Sequence, residues 1–251
     1  MCVHSRHLIA FLFVASKLIT MLVFDAAAHS YKNPFTGEIY ISATTLIGKF
    51  KKPFDVEAIS KRIAEREGVS PEEIKRRWKK INNDSKEYGQ TIHGIVEEYN
   101  KTKTIVDGYE DLIKSYNKLG VLSEQDELLV EEKVFNHEYK LAGTADIIRI
   151  EDGGGFSVFD LKTNKKFNLY NTYSEYLMNP LSHLTSCEYT TYGLQLSLYA
   201  FMFQCMTGRK VNQLGVFYYD RKHDAFTYYP VPYMKTDVKE MLHYAQANFT
   251  G

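Results

Sequence analysis

The stretch GTADIIRIEDGGGFSVFDLKT, residues 143–163, decides the fold predicted for this chain. Two apolar runs flank a glycine-rich turn, a pattern that predicts a β-hairpin. Because side chains alternate between the faces of a strand, Asp160 and Lys162 point the same way, and Asp146 on the paired strand can approach Asp160. Two such carboxylates repel each other unless a cation lies between them, and oxygen ligands suit Mg²⁺ or Mn²⁺. We therefore expect a divalent metal site here, with the lysine orienting a water or stabilising charge on a phosphate.

The order of these residues resembles the PD-(D/E)XK nuclease superfamily, in the branch that contains RecB-like, Cas4-like and phage exonucleases. The family places one acid on a first strand and an acid-x-lysine tripeptide on the next, which here would be Asp146 and Asp160-Leu161-Lys162. The first acid follows Gly-Thr-Ala instead of proline, as is usual in the RecB-like branch. The resemblance implies that Asp146, Asp160 and Lys162 are catalytic, that both aspartates bind the metal, and that the main-chain carbonyl of Leu161 completes its coordination.

A histidine on a predicted helix precedes the hairpin. In the segment YGQTIHGIVEE, residues 88–98, apolar residues recur at helical spacing, and His93 and Glu97 lie one turn apart on one face. A lone histidine in such a helix is more often a core or capping residue. The family resemblance, however, implies that His93 is an additional metal ligand, with Glu97 as a possible further site residue.

Two other segments resemble family motifs. In YGLQLSLYA, residues 192–200, Gln195 and Tyr199 match a glutamine-x-x-x-tyrosine motif and are expected to contact the nucleic-acid strand; a tyrosine on an apolar helix also suits a core. A predicted strand before the hairpin carries Glu131 and Glu132, of which only one can face the site. The family spacing favours Glu131, although a solvent-facing charge pair fits the sequence equally well.

The composition permits one globular domain with a full core. The chain has 251 residues, 44% of them hydrophobic, and a formal net charge of zero, which argues against a globally basic nucleic-acid-binding surface. Local basic clusters therefore matter more for phosphate binding. One cluster occupies residues 75–80, and another, with Lys165 and Lys166, follows the predicted hairpin and is expected to bind substrate. Three scattered cysteines cannot supply the four ligands of an iron–sulfur cluster, so none is expected.

The amino terminus allows two interpretations. Residues 8–23 are apolar and are followed by three alanines, which superficially fits a signal peptide or anchor. Lys17 interrupts this run, about 16 residues is short for a membrane span, and cleavage after the alanines would remove a predicted strand. We expect residues 1–20 to be a dispensable extension before a single nuclease domain at 21–251.

These observations predict an α/β fold: a small mixed sheet flanked by helices, with a restriction-endonuclease-like core and a helical embellishment near the amino terminus. The expected activity is metal-dependent hydrolysis of DNA phosphodiester bonds, with an exonuclease of phage-type recombination, repair or degradation favoured. Expected partners are single- or double-stranded DNA and a recombination or replication protein, without a membrane, in the cytoplasm of a bacterial or phage-infected cell. The alternatives are an endonuclease of the same fold, a non-catalytic nucleic-acid-binding protein on this scaffold, and an anchored or secreted protein.

Overall fold

The computed structural model describes residues 22–25, 28 and 30–249. Within them, an eight-stranded mixed sheet is flanked by helices on both faces, which confirms the predicted α/β class. The strands are β1 Val23–Asp25, β2 Ser30–Lys32, β3 Ile39–Ser42, β4 Glu127–Asn136, β5 Leu141–Ile150, β6 Gly155–Lys162, β7 Lys210–Asp220 and β8 Ala225–Val231. The helices are α1 Ala43–Gly48, α2 Val56–Glu67, α3 Pro71–Thr102, α4 Glu110–Asn117, α5 Glu188–Thr207 and α6 Lys235–Phe249.

Strand β5 lies at the centre of the sheet. The hydrogen-bonded order is β1-β2-β3-β5-β6-β7-β8, and β4 pairs antiparallel with β5 along its whole length. On the other edge of β5, β3 pairs in parallel with Leu141 and Ala142, whereas β6 pairs antiparallel from Ile147 to Ile150. The strand that pairs with this edge of β5 therefore changes from β3 to β6. Asp146 lies between the two paired segments.

Two helical layers cover the sheet. Helix α5 is apolar around its whole circumference, as expected for a helix that is buried on all sides, and it packs on one face together with α1 and α6. Helices α3 and α4 pack on the other face, where Ile92 and Ile113 join a cluster with Phe159 and Phe217. Alternation along β6 sends Val158 to the first layer and Phe159 to the second.

Helix α3 runs without a break for 32 residues. The helix predicted around His93, residues 88–98, is therefore only part of a longer helix. Ser70 caps its start, because the Ser70 hydroxyl accepts the Glu73 main-chain N–H at 3.2 Å. The single Gly89 within it costs only about 1 kcal/mol relative to alanine. A Cβ at this position would lie 3.0 Å from Thr163 Oγ1, so the glycine lets the helix approach the end of β6.

The segment between β6 and α5 is mostly irregular. It packs on the core through the buried side chains of Leu177 and Leu181. The Phe167 ring lies 5.3 Å from the ring of Tyr218 and 4.5 Å from that of Tyr229, measured between centroids. These contacts fix the path of the chain as it leaves the hairpin.

The predicted amino-terminal extension, residues 1–20, lies outside the described residues. In the part of the chain that the structure describes, no helix combines the length and apolar character needed to cross a membrane.

Candidate metal centre

The two predicted aspartates lie where β5 and β6 separate. The pairing of the two strands ends with Ile147 opposite Phe159, and Asp146 and Asp160 are the next residue on each strand. Asp146 Oδ2 accepts the main-chain N–H of Leu161 at 2.7 Å. Here a side-chain carboxylate accepts the hydrogen bond that a main-chain carbonyl of the neighbouring strand would accept in a regular sheet. The hairpin geometry predicted from the sequence therefore brings the two acids next to each other.

Three potential metal ligands from three different elements converge beside this opening. Ligand atoms of His93 on α3, Glu131 on β4 and Asp146 on β5 all lie within 4.8 Å of one another. His93 Nδ1 is 3.5 Å from Asp146 Oδ2. One imidazole nitrogen and two carboxylate oxygens form a donor set that suits a divalent transition metal or Mg²⁺. The residues present therefore fit a metal ion.

Glu131 reaches this group through an unusual backbone conformation. Its φ angle is +56°, in the left-handed region that a residue with a side chain rarely adopts within a strand. Val130 and Glu132 pair on either side of it with Ile147 and Ala145, so Glu131 lies opposite Asp146 in the ladder. Strain of this kind costs on the order of 1–3 kcal/mol and is concentrated at functional sites. Of the two neighbouring glutamates, the structure brings Glu131 to the site, as the family spacing favoured.

Asp160 has different surroundings from Asp146. Its side chain is buried and forms an ion pair with Lys162. Gln195 on α5 donates a hydrogen bond from Nε2 to Asp160 Oδ1 at 3.2 Å. Asp160 is therefore held from two sides, and it does not belong to the group of three convergent ligands.

Gln195 and Tyr199 lie beneath the site instead of along an open surface. Both are more than nine-tenths buried, and Gln195 Nε2 also donates to Tyr199 Oη at 2.9 Å. The Tyr199 ring packs directly on Gly143, where a Cβ atom would overlap it. The enclosed pair reaches Asp160 through Gln195, and the expected contact with a nucleic-acid strand stays a prediction.

Burial and mutual repulsion act on the ligand carboxylates. Burial raises the pKa of Asp146 well above its usual value, and the charge of Asp160 adds to the rise. Burial also raises the pKa of Glu131, with a further contribution from Glu97. The site thus concentrates negative charge that water does not stabilise, and a bound cation would relieve this cost.

The two nitrogen groups respond in opposite directions. Burial lowers the pKa of His93, although the charge of Asp160 opposes the shift, so the ring is neutral at neutral pH and offers a lone pair. A backbone hydrogen bond of Leu161 acts to raise the same pKa, as expected when its carbonyl accepts the ring N–H. Burial alone would lower the pKa of Lys162, but Asp160 and Asp146 outweigh it and the pKa is raised, so the ammonium stays charged.

The remaining predicted residues surround the site. Glu97 lines the same cavity, of about 550 Å³, as the three ligands and forms an ion pair with Lys101. Lys165 and Lys166 are exposed beyond the end of β6. The main-chain N–H of Leu161 donates to Asp146, and a backbone hydrogen bond joins Leu161 to His93. The expected carbonyl ligand, Leu161 O, therefore belongs to a residue that contacts two of the three potential ligands.

The structure adds residues that the sequence did not single out. The Lys162 ammonium lies 4.8 Å from the centre of the Tyr192 ring, and burial raises the pKa of this tyrosine to about 12. Lys86 and Gln90 line the metal cavity on the amino-terminal side of His93. Helical spacing from His93 would have found both, had α3 been recognised as one continuous helix.

Comparison with known proteins gives partial likenesses only. No family model matches the chain, and no curated protein matches it. A solved structure from Eubacterium rectale, named "Putative exonuclease", is similar over 64% of this chain and 64% of its own, with a TM-score of 0.39 and 11% identity. Another, named SSO0001, is similar over 55% of this chain and 59% of its own, with a TM-score of 0.31 and 17% identity. Each match spans less than two thirds of the other protein, so the proposal below rests on the geometry of the site.

Proposed function

We propose that this chain is a divalent-metal-dependent nuclease of the PD-(D/E)XK type that hydrolyses DNA phosphodiester bonds. One observation carries the proposal: the ligand atoms of His93, Glu131 and Asp146 converge within 4.8 Å, next to the Asp160–Lys162 ion pair on the adjoining strand. A neutral imidazole and two acids suit a divalent ion, and an ammonium beside them can stabilise charge on a phosphate. Mg²⁺ or Mn²⁺ is the expected ion, and the nitrogen ligand suits Mn²⁺ as well as Mg²⁺.

Each group has a distinct role in this proposal. His93, Glu131 and Asp146 hold the ion, Asp160 completes the acidic wall, and the Leu161 carbonyl is a further ligand. A bound divalent ion lowers the pKa of a coordinated water, which makes hydroxide available near neutral pH. The Lys162 ammonium lies at the acidic wall and stabilises negative charge that develops on the phosphate.

Residues around the centre complete the proposed machinery. Gln195 and Tyr199 position Asp160 from beneath, whereas the exposed Lys165 and Lys166 bind phosphates of the strand as it leaves the site. Glu97 holds Lys101 at the cavity wall and is not needed as a ligand. An exonuclease mode, a role in phage-type recombination or repair, a protein partner in that process and a cytoplasmic location remain predictions from the sequence resemblance.

The rival function is nucleic-acid binding without turnover. A binding surface needs exposed cations, and it gains little from a mostly enclosed lysine, 19% exposed, paired with a buried aspartate, an arrangement that is costly to desolvate. The strained Glu131 backbone likewise has a use only if its carboxylate must reach a fixed point. These two features favour the hydrolytic function.

The test is a cleavage gel with end-labelled single- and double-stranded DNA in Mg²⁺, Mn²⁺ or chelator. We expect metal-dependent cleavage that Asp160→Asn abolishes while folding and DNA binding persist. The matched control is Asp111→Asn, which removes an acid from a different cavity and should cleave like the unmodified protein. Cleavage by Asp160→Asn at the unmodified rate, or full activity in chelator, would overturn the proposal. Linear and closed circular substrates then separate exonuclease from endonuclease activity.

A further inference from the structure

The amino-terminal half of α3 carries its charges on separate faces. At about 100° per residue, Lys79, Asn82, Lys86 and His93 fall within about 60° of one another around the helix axis. The two lysines are exposed, and neither has an ion-pair partner among the described residues. A line of polar and basic side chains therefore leads along one side of the helix to the metal ligand.

The acids nearest to Asn82 and Lys86 on this helix lie on the opposite side, whereas Glu72, in the first turn, is about 60° from the His93 direction. By the same geometry, Asp84 and Glu87 are roughly 120–180° away from His93. Other basic residues of this region are already engaged: Lys75 pairs with Glu57, and Arg77 pairs with Glu73 and Glu67. The cluster predicted at residues 75–80 is thus mostly internal ion pairing. The free cations that remain on the His93 face form the line described above.

The metal cavity continues along this line. Its wall includes Ser85, Lys86, Gly89 and Gln90 of α3 before it reaches His93. These positions are centred on the same side of the helix as the lysines. A chain of phosphates that enters the cavity from this side would pass the lysines before it meets the ligands.

An aromatic pair lies at the far end of the line. The rings of Phe54 and Trp78 meet edge to face with centroids 5.8 Å apart, and Phe54 is 63% exposed. Trp78 is about 60° from the His93 direction, beside the lysine face. Basic side chains combined with accessible aromatic rings are typical of surfaces that bind unpaired bases.

We propose that the exposed half of α3 is a track for one single-stranded segment of nucleic acid, with its phosphates along Lys79, Asn82 and Lys86 and a base stacked at Phe54 and Trp78. The proposal rests on the nuclease function and specifies how the substrate reaches that site. Trp78 and His93 are 15 residues apart on one helix, or about 22 Å at 1.5 Å per residue. At the spacing of a stacked strand, about 3.4 Å per nucleotide, this distance corresponds to roughly six to seven nucleotides between the aromatic pair and the metal centre.

The first experiment measures binding without cleavage. Fluorescein-labelled dT20 is titrated with protein in chelator, and the anisotropy gives Kd over a range of salt concentrations. We expect Lys79→Met and Lys86→Met each to weaken binding about 3- to 10-fold and to reduce the slope of log K against log salt by about 0.7. Lys80→Met is the matched control, because Lys80 is exposed and lies about 140° from His93 on the same helix. An equal loss in the control, or an unchanged slope in both track variants, would overturn the proposal.

The second experiment separates base stacking from charge. Phe54→Ala and Trp78→Leu should weaken binding of dT20 about fivefold or more and leave binding of an abasic strand of the same length unchanged. Oligonucleotides shorter than about six nucleotides should be insensitive to both changes. Equal losses on the abasic strand, or equal affinity for dT20 and a blunt 20-base-pair duplex, would contradict a single-stranded track.

The two proposals fail in different ways. Since binding is measured in chelator, a defect in the metal centre does not affect these results. If Asp160→Asn still cleaves, the nuclease assignment fails even where the lysine variants behave as expected. If the lysine variants bind normally while Asp160→Asn is inactive, only the track is wrong.

Discussion

Two cavities of similar size lie on opposite faces of α3, and only one of them has the geometry of a reaction centre. The metal cavity measures about 550 Å³ and the other about 580 Å³. The second cavity contains more acids: Asp84, Glu87, Glu110, Asp111 and Asp224. Yet among the described residues, ligand atoms converge within 4.8 Å at His93, Glu131 and Asp146, in the other cavity.

The difference shows that convergence, not the number of acids, makes a site. In the acidic cavity, Glu110 Oε1 accepts the Gly108 N–H and Asp224 accepts the Tyr219 hydroxyl, so these carboxylates serve local structure. In the metal cavity, the strained backbone of Glu131 brings its carboxylate close to that of Asp146, and burial raises the pKa of both acids. Each prediction below tests whether this contrast is functional.

Lys162→Met should have the largest effect on catalysis among these predictions. Removing a preorganised cation from the position where charge develops is expected to lower kcat about 10²–10³-fold. Affinity for the metal should persist, because the substitution removes only a positive charge that competes with the ion for the carboxylates. Single-turnover cleavage and Mn²⁺ titration measure the two quantities, and Lys165→Met is the control with a small effect. A normal rate for Lys162→Met would show that Lys162 contributes no more to catalysis than the exposed Lys165.

His93→Gln should weaken metal binding about 10- to 100-fold, a range observed even when only supporting residues of metal sites are changed. Isothermal titration with Mn²⁺ in the absence of DNA measures this directly. Asp111→Asn, in the acidic cavity, should bind Mn²⁺ like the unmodified protein. If the two variants lost affinity equally, the two cavities would have to be considered equivalent.

Gln195→Leu tests whether the residue that supports Asp160 from beneath affects catalysis without affecting DNA binding. This variant removes the hydrogen bond to Asp160, and we expect kcat to fall about 10- to 100-fold. The Kd for DNA should change little, because the side chain is buried. An increase in Kd with a normal kcat would restore the direct strand contact that the sequence resemblance implied.

Asp146→Asn should stabilise the protein in chelator by about 1–2 kcal/mol at neutral pH. The folded pKa of Asp146 is raised, so the cost of its charged form is fully present above that pKa and disappears as the pH falls through it. The gain measured by urea denaturation should therefore shrink in acidic buffer. Divalent metal should reverse the order of stability, because only the unmodified site binds it well. A variant that is less stable at all pH values would show that Asp146 is structural.

Much of the fold could be predicted from the sequence because its signals are local. The glycine-rich turn between two apolar runs predicted β5 and β6 as an antiparallel hairpin. Asp55 caps α2 by accepting the Ala58 N–H at 2.9 Å, and Ser70 caps α3; both residues are of types that favour the N-cap position. The sequence did not show that the helix around His93 extends back to Pro71, and Gly89 within it leaves room for Thr163.

The sequence by itself determined which chemical groups are available and their pairing on one hairpin, because alternation along strands depends only on the local backbone. It placed Asp146 opposite Asp160 and kept Lys162 on the same side. Only the tertiary structure decided that Glu131 joins His93 at Asp146 and that Gln195 holds Asp160. These contacts join α3, β4 and α5 to the hairpin, and their distances depend on how helices pack across the sheet, which no spacing along the chain encodes.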